Sequence, residues 1–141
     1  MFDTGHLHPM SVHFPIALIV VGIYYNFTKI YKTKSLTITS TGILLHLLGT
    51  ISAVVACLTG EYFTHEHTGK AHDIKEIHEL FANLTMYLMV TISILFLWIR
   101  YKKVENNTIN IIILLLMGAS LVSVAIAGYY GGTLVYNYMI Q

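Results

Sequence analysis

The chain has 141 residues, of which 55% are hydrophobic and 11% are charged, and its formal net charge is +1 at pH 7. Charged residues make up about a quarter of an ordinary soluble domain, so this chain has too few of them to cover a water-facing surface. The near-neutral charge argues against a nucleic-acid partner, which a basic protein surface would bind. The single cysteine excludes an internal disulfide.

Four hydrophobic segments are each long enough to cross a bilayer, which requires about 20 mostly apolar residues. They cover residues 9–27, 36–60, 77–99 and 109–130. Inside lipid, backbone polar groups must be satisfied within the chain, so we expect helices. Short connections between the segments favour an all-α, up-down bundle of four transmembrane helices that forms a single domain over residues 1–141.

The distribution of lysine and arginine predicts the orientation of this bundle, because cytoplasmic loops carry an excess of them. Six follow the first and third segments, namely Lys29, Lys32, Lys34, Arg100, Lys102 and Lys103. Only Lys70 and Lys75 lie between the second and third segments. Both termini are therefore predicted to be non-cytoplasmic. In a bacterium, this describes a multi-pass protein of the inner membrane with its histidine-rich face in the periplasm.

Histidine is unusually frequent in so small a chain. The eight histidines are His6, His8, His13, His46, His65, His67, His72 and His78. Under the predicted topology, seven of them lie at or near the outer face and only His46 lies deep in the membrane. Imidazole is the commonest metal ligand in proteins, so this concentration predicts a metal or cofactor site at the outer face.

The depths of two histidines in their helices suggest a pair of ligands. Pro9 fits the first position of a helix, which places His13 about one turn inside the first helix. Asp73 fits the N-cap of the third helix, with Glu76 at the capping-box spacing, which places His78 a little over one turn inside. Two imidazoles at similar depth on facing helices can ligate a haem iron or another metal from opposite sides. We therefore expect His13 and His78 to be axial ligands.

His46 has two possible interpretations. An ionisable residue deep in a membrane helix is a functional candidate, with Met86 or Met89 as a possible second ligand at similar depth. Alternatively, a neutral imidazole bonds to a neighbouring helix. The same segment carries small residues at three-to-four spacing, which suit close helix packing or a flat wall for a cofactor: Gly42, Gly49, Ala53, Ala56 and Gly60.

The remaining outer histidines offer an alternative metal site. His65, His67 and His72 lie in a polar connection with several carboxylates, and His8 precedes the first helix. Imidazole and carboxylate groups bind copper or zinc. The spacing matches no strict zinc pattern, so a solvated loop is the competing interpretation.

Two sequence motifs resemble those of a known family. The first is Leu7-His8-Pro9-Met10-Ser11-Val12-His13-Phe14-Pro15-Ile16-Ala17-Leu18, and the second is Gly131-Gly132-Thr133-Leu134-Val135-Tyr136. They resemble the opening and closing motifs of domain of unknown function 2231 (DUF2231), a family of four-helix bacterial membrane proteins, and Thr59, Gly60 and His78 also fall in its pattern. The chain differs from this pattern after Tyr136, where Asn137-Tyr138-Met139-Ile140-Gln141 stands in place of the usual glycine-rich tail. The layout is similar to that of small membrane cytochromes b.

Three functions follow as hypotheses. The resemblance in layout favours a haem b electron-transfer protein or a respiratory-complex subunit, whose partner is a periplasmic cytochrome, a quinone or another subunit. The outer histidines alternatively indicate a copper- or zinc-handling membrane protein. The third hypothesis is a structural or assembly subunit without a cofactor. No hydrolase or phosphate-binding motif is present, so we expect no catalytic activity of the chain's own.

Overall fold

The computed structural model describes residues 7–35, 38–63, 69–103 and 106–139. Its elements are α1 (Leu7–Ser11), α2 (His13–Thr33), α3 (Ser40–Phe63), α4 (Lys70–Lys102), α5 (Asn107–Leu134) and a π-helical turn (Val135–Met139). The first two helices run on as one apolar span, His8–Thr33. Together with α3, α4 and the span Asn107–Tyr138 they give four helices long and apolar enough to cross a membrane. The prediction of an all-α fold with four helices that could each span a membrane is confirmed.

The third span begins earlier than the sequence predicted. It starts at Lys70, after Gly69, whose φ of 63° is readily adopted only by glycine. Asp73 therefore lies in the first turn of the helix, and its prediction as the N-cap is wrong. Its carboxylate still suits this position, because the N-terminal end of a helix carries partial positive charge. His78 consequently lies more than two turns inside the helix, rather than one.

The four spans form a ring of neighbours in contact. The first span packs on the second, the second on the third, the third on the fourth, and the fourth returns to the first. A core of large apolar side chains fills the centre of this ring, and Met89, Ile92 and Ile113 are completely buried in it. Because consecutive spans run in opposite directions, the first and third begin at the same end of the bundle.

We call this end the histidine end, since it contains His8 and His78, and the opposite end the lysine end. At the lysine end the first and third spans stop in the same way. Lys34 and Lys103 adopt left-handed backbone conformations, with φ of 55° and 51°, and donate their N–H groups to Ile30 and Ile99. The fourth span then starts with Asn106, whose side chain accepts a 2.8 Å hydrogen bond from the N–H of Thr108.

The outer surface of the bundle is apolar, as lipid contact requires. Many of its leucine, isoleucine and valine side chains are exposed along the whole length of the spans. Aromatic side chains that prefer the membrane–water boundary lie towards both ends. They are Tyr24, Tyr25, Tyr31, Trp98 and Tyr101 towards the lysine end, and Tyr62, Tyr129, Tyr136 and Tyr138 at the histidine end.

Candidate functional site

His8 joins the first span to the second. It lies on the face of the first span that also carries the buried residues Pro15, Ile19 and Gly22, because these residues lie seven, eleven and fourteen positions after it. Its Nδ1 donates a 2.9 Å hydrogen bond to the carbonyl oxygen of Ala56. A carbonyl can only accept, so this bond places the ring proton on Nδ1 and leaves the lone pair on Nε2.

His78 joins the third span to the fourth in the same way. Its Nδ1 donates a 2.8 Å hydrogen bond to the carbonyl oxygen of Ala127. This bond again leaves the lone pair on Nε2. Within the described parts of the chain, Nε2 of neither His8 nor His78 makes a hydrogen bond.

Each imidazole rests against a glycine. A Cβ atom added at Gly60 would lie 3.0 Å from Cε1 of His8, and one added at Gly131 would lie 2.9 Å from Cε1 and Nδ1 of His78. A side chain at either position would press on the ring, which would have to shift. The two glycines thus make room for the two rings.

The two rings are neighbours at the histidine end. Their centroids are 5.9 Å apart and their planes are nearly perpendicular, at 80°. The structure therefore brings together two half-buried imidazoles from the first and third spans, each oriented by a backbone carbonyl of the following span.

His13 is not a member of this pair. The structure places its side chain on the exposed outer surface of the first span. Five residues separate it from His8, and at 3.6 residues per turn this is a rotation of about 140° around the helix axis. The sequence predicted its depth but not its direction, and His8 occupies the position beside His78.

A small polar network surrounds His8. Thr59 donates a 3.0 Å hydrogen bond to the carbonyl of Ala56, which therefore accepts from both Thr59 and His8. Ser11 donates to the carbonyl of His8 at 2.9 Å, and its Oγ lies 3.0 Å from Oγ1 of Thr59. This network ties the start of the first span to the end of the second.

His46 lies in the middle of the bundle, away from the histidine pair. It is 3% exposed, and its Nε2 donates a 3.0 Å hydrogen bond to the carbonyl oxygen of Met89. Its ring packs edge-on against Phe96, with centroids 5.3 Å apart. Thr50 donates to the carbonyl of His46 and lies 2.8 Å from Ser93. Of the two interpretations of His46, this geometry corresponds to a helix-bridging imidazole, bonded to the backbone of Met89 rather than to its sulfur.

Only part of the alternative outer metal site lies within the described residues. His72 is exposed and pairs with Glu76 at 3.4 Å on the same helix. His65 and His67 lie outside the described residues. Over residues 7–35, 38–63, 69–103 and 106–139, no group of three or more histidine, cysteine or acidic side chains is placed to hold a metal ion.

Two Ala-x-x-x-Gly steps in the sequence correspond to the carbonyl and glycine partners of the two histidines. Ala56 and Gly60 are four residues apart, as are Ala127 and Gly131. In a helix this spacing places both residues on one face, so each Ala-x-x-x-Gly step offers a carbonyl and an open surface to one approaching ring. The sequence alone does not show which histidine of the preceding span packs against each Ala-x-x-x-Gly step.

Comparison with known proteins yields one match. A family model described as a predicted membrane protein, DUF2231, matches residues 5–141, which is nearly the whole chain. The comparisons with curated proteins and with solved structures give no match.

Proposed function

The chain belongs to the DUF2231 family of predicted membrane proteins, and from its paired imidazoles we propose that it holds haem b between His8 and His78 and transfers electrons. In this proposal, His8 takes the place of His13 as the partner of His78. The observation that carries it is the pair of half-buried rings at the histidine end, 5.9 Å apart.

The separation of the rings is suitable for two ligands of one metal atom. The bond from a metal to an imidazole nitrogen is about 2.0–2.1 Å, so the centroid of each ring lies ~3 Å from the metal. Two such rings are then ~5 Å apart at a tetrahedral angle and ~6 Å apart on opposite sides. The observed 5.9 Å lies in this range, so His8 and His78 would both reach one metal atom, such as the iron of a haem.

The hydrogen bonds of the two rings also suit ligation. A histidine that binds a metal through one nitrogen commonly donates its other N–H to a carbonyl or carboxylate, which fixes the tautomer and orients the ring. Ala56 and Ala127 provide these carbonyls for His8 and His78. Both rings therefore present Nε2 as the free donor atom before any metal is bound.

The number of ligands further supports haem over a bare zinc or copper ion. A structural zinc site takes four protein ligands and a catalytic one takes three, whereas a haem takes only two axial ligands from the protein. The described residues bring together two imidazoles and no third ligand. The copper- or zinc-handling alternative depends on His65 and His67 and remains a hypothesis.

A haem iron held by His8 and His78 would have no open coordination position, so it would supply electron exchange rather than substrate binding. The chain itself positions the two imidazole rings: two backbone carbonyls accept their hydrogen bonds, and two glycines leave space beside them. We place the histidine end in the periplasm of a bacterial inner membrane, because the six cations of the lysine end satisfy the positive-inside rule. A site at the end of the bundle suits exchange with a periplasmic cytochrome, while a quinone or a respiratory subunit would reach it from the membrane.

The test is a visible spectrum of the full chain, purified in detergent from haem-replete cells and combined with metal analysis. We expect a Soret band, its loss in His8→Ala and His78→Ala, and its retention in the exposed control His13→Ala. Added imidazole should restore the band in either of the first two variants, which shows that they are folded. Bound zinc or copper without haem would support the metal-handling alternative. No bound cofactor at all would leave the histidines as bridges between helices, as in a structural subunit, and would overturn the proposal.

A further inference from the structure

The first and third spans bury the same pattern of positions. Residues 8–27 and 78–97, which are related by a shift of 70, agree as buried, half-buried or exposed at all but three of twenty positions. The positions buried in both are Pro15, Ile19, Gly22, Ile23 and Asn26 in the first span, and Thr85, Met89, Ile92, Ser93 and Phe96 in the third. The two spans therefore direct the same face towards the centre of the bundle, at the same depth.

The second and fourth spans repeat this relation with a shift of 71. Residues 42–60 and 113–131 agree at fourteen of nineteen positions. The positions buried in both are Gly42, His46, Gly49, Ala53 and Ala56 in the second span, and Ile113, Met117, Ser120, Val124 and Ala127 in the fourth. The nearly equal shifts relate the first hairpin of the chain, spans one and two, to the second hairpin, spans three and four.

The contacts follow the same relation. In the first hairpin, a histidine donates to the carbonyl of Ala56 and rests on Gly60, and in the second, a histidine donates to the carbonyl of Ala127 and rests on Gly131. The second span contacts the third, and the fourth contacts the first less extensively, so the two hairpins dock on each other through corresponding helices. This is the arrangement of an approximate twofold axis along the bundle. The contact between the two histidine rings is equivalent to itself under this axis, which therefore passes between them.

The two hairpins share few residue types at their buried positions. Of the ten pairs of positions buried in both hairpins, only Ala56 and Ala127 are the same residue type. The histidine and the glycine that belong to each alanine are also the same in both hairpins. By contrast, His46 corresponds to Met117, and His13 corresponds to Asn83, which is exposed like His13. The core differs between the hairpins, whereas the three residues that build each half of the histidine pair are repeated.

We infer that the chain consists of two copies of one helical hairpin, and that His8 and His78 are equivalent halves of a single metal site on the axis between them. This inference rests on the proposed function for the identity of the cofactor, but not for the equivalence of the two histidines. It defines the ligand class as one metal centre that binds both imidazoles equally through Nε2. It also assigns His13 and His46 no part in the site, since neither has a histidine as its counterpart.

The first test uses the cofactor-free full chain in detergent, with ¹⁵N-labelled histidine, and Zn²⁺ as the probe. NMR should show His8 and His78 in the same tautomer, protonated at Nδ1, with each signal assigned by its absence in His8→Gln or His78→Gln. One Zn²⁺ per chain should shift both Nε2 signals at the same midpoint. Different tautomers, or shifts at separate Zn²⁺ concentrations, would overturn the equivalence of the two histidines.

The second test exchanges residues between equivalent positions. His13→Asn and His46→Met each introduce the residue that the other hairpin carries at that position, so the Zn²⁺ midpoint should remain within about twofold of the unmodified chain. Loss of an outer partner of a metal ligand commonly weakens binding 10–100-fold, so loss of either ligand itself, in His8→Ala or His78→Ala, should weaken binding at least about tenfold and to a similar extent. Unequal effects of these two variants, or a loss of binding in folded His46→Met, would refute the inference.

These outcomes are distinct from those of the haem experiment. If equivalent tautomers and shared Zn²⁺ binding occur in a chain that never binds haem, the proposed function fails and the duplicated site stands. If haem is bound but only one of the two histidines responds to Zn²⁺, the duplicated site fails and a haem protein with another ligand remains.

Discussion

Replacing Gly131 by alanine tests the contact that holds His78 in place. The added Cβ would lie 2.9 Å from Cε1 and Nδ1 of the ring, whereas carbon atoms in good contact are about 3.5–4.0 Å apart. The ring must therefore move by roughly 0.6 Å or more to relieve the overlap. Because the overlap involves Nδ1 itself, the movement disturbs the 2.8 Å bond to the carbonyl of Ala127.

The size of the effect follows from three contributions. An extra methyl group in a tightly packed site costs about 1–3 kcal/mol, and weakening the hydrogen bond costs up to about 1 kcal/mol. Replacing glycine by alanine within a helix contributes about 0.5–1 kcal/mol in the opposite direction. We expect Gly131→Ala to lower the free energy of unfolding by about 1–2 kcal/mol, and, under the proposed function, to weaken the binding of haem as well.

The neighbouring Gly132 provides a matched control. An added Cβ there has no atom within 4 Å among the described residues, so Gly132→Ala should gain only the helix contribution, about 0.5–1 kcal/mol. Unfolding of both variants in mixed detergent and dodecyl sulfate, followed by circular dichroism, should separate them by about 2 kcal/mol. Equal stabilities would show that the contact between Gly131 and the His78 ring does not constrain the protein.

Two further predictions concern the interior of the bundle. A Cβ added at Gly42 would overlap the side-chain amide of Asn26, so Gly42→Ala should cost about 1–3 kcal/mol in the same unfolding assay. Combining it with Asn26→Ala should recover part of that cost, and strictly additive effects would contradict the contact. His46→Ala removes the buried hydrogen bond to the carbonyl of Met89 and should cost about 2 kcal/mol, against less than about 0.5 kcal/mol for the exposed control His72→Ala. Similar losses for these two variants would show that the bridge of His46 is unimportant for stability.

The sequence predicted the number of spans because that prediction depends only on hydropathy and length. Four apolar segments with short connections allow few arrangements, and the structure has all four. The starts of the helices were harder to predict, because several nearby residues compete as caps. Asp73 carries a suitable side chain, yet Gly69 is where the backbone turns into α4. Hydropathy cannot distinguish these cases, since polar residues predominate in the first part of α4, over residues 70–79.

The composition of the histidine pair was predicted only in part. The distance of His78 from the predicted start of its helix identified the end of the bundle at which it lies, although α4 begins at Lys70 and His78 is more than two turns inside it. The direction of a side chain around the helix depends on which face is buried, and apolar residues surround a membrane span on all sides. The buried face of the first span, marked by Pro15, Ile19 and Asn26, therefore became clear only from packing, and it selects His8 over His13.

The left-handed lysines at the lysine end have a consequence for the vertical position of the helices. Lys34 and Lys103 each adopt a backbone conformation that costs a residue with a side chain roughly 1 kcal/mol relative to glycine. Glycine would relax the backbone but would remove an ammonium group from the point where each span leaves the lipid. An ammonium group resists being drawn into hydrocarbon, so each lysine limits how far its span can slide. His8 and His78 lie on these two spans at nearly the same distance from Lys34 and Lys103. The two lysines therefore keep both imidazole rings at a similar height along the bundle.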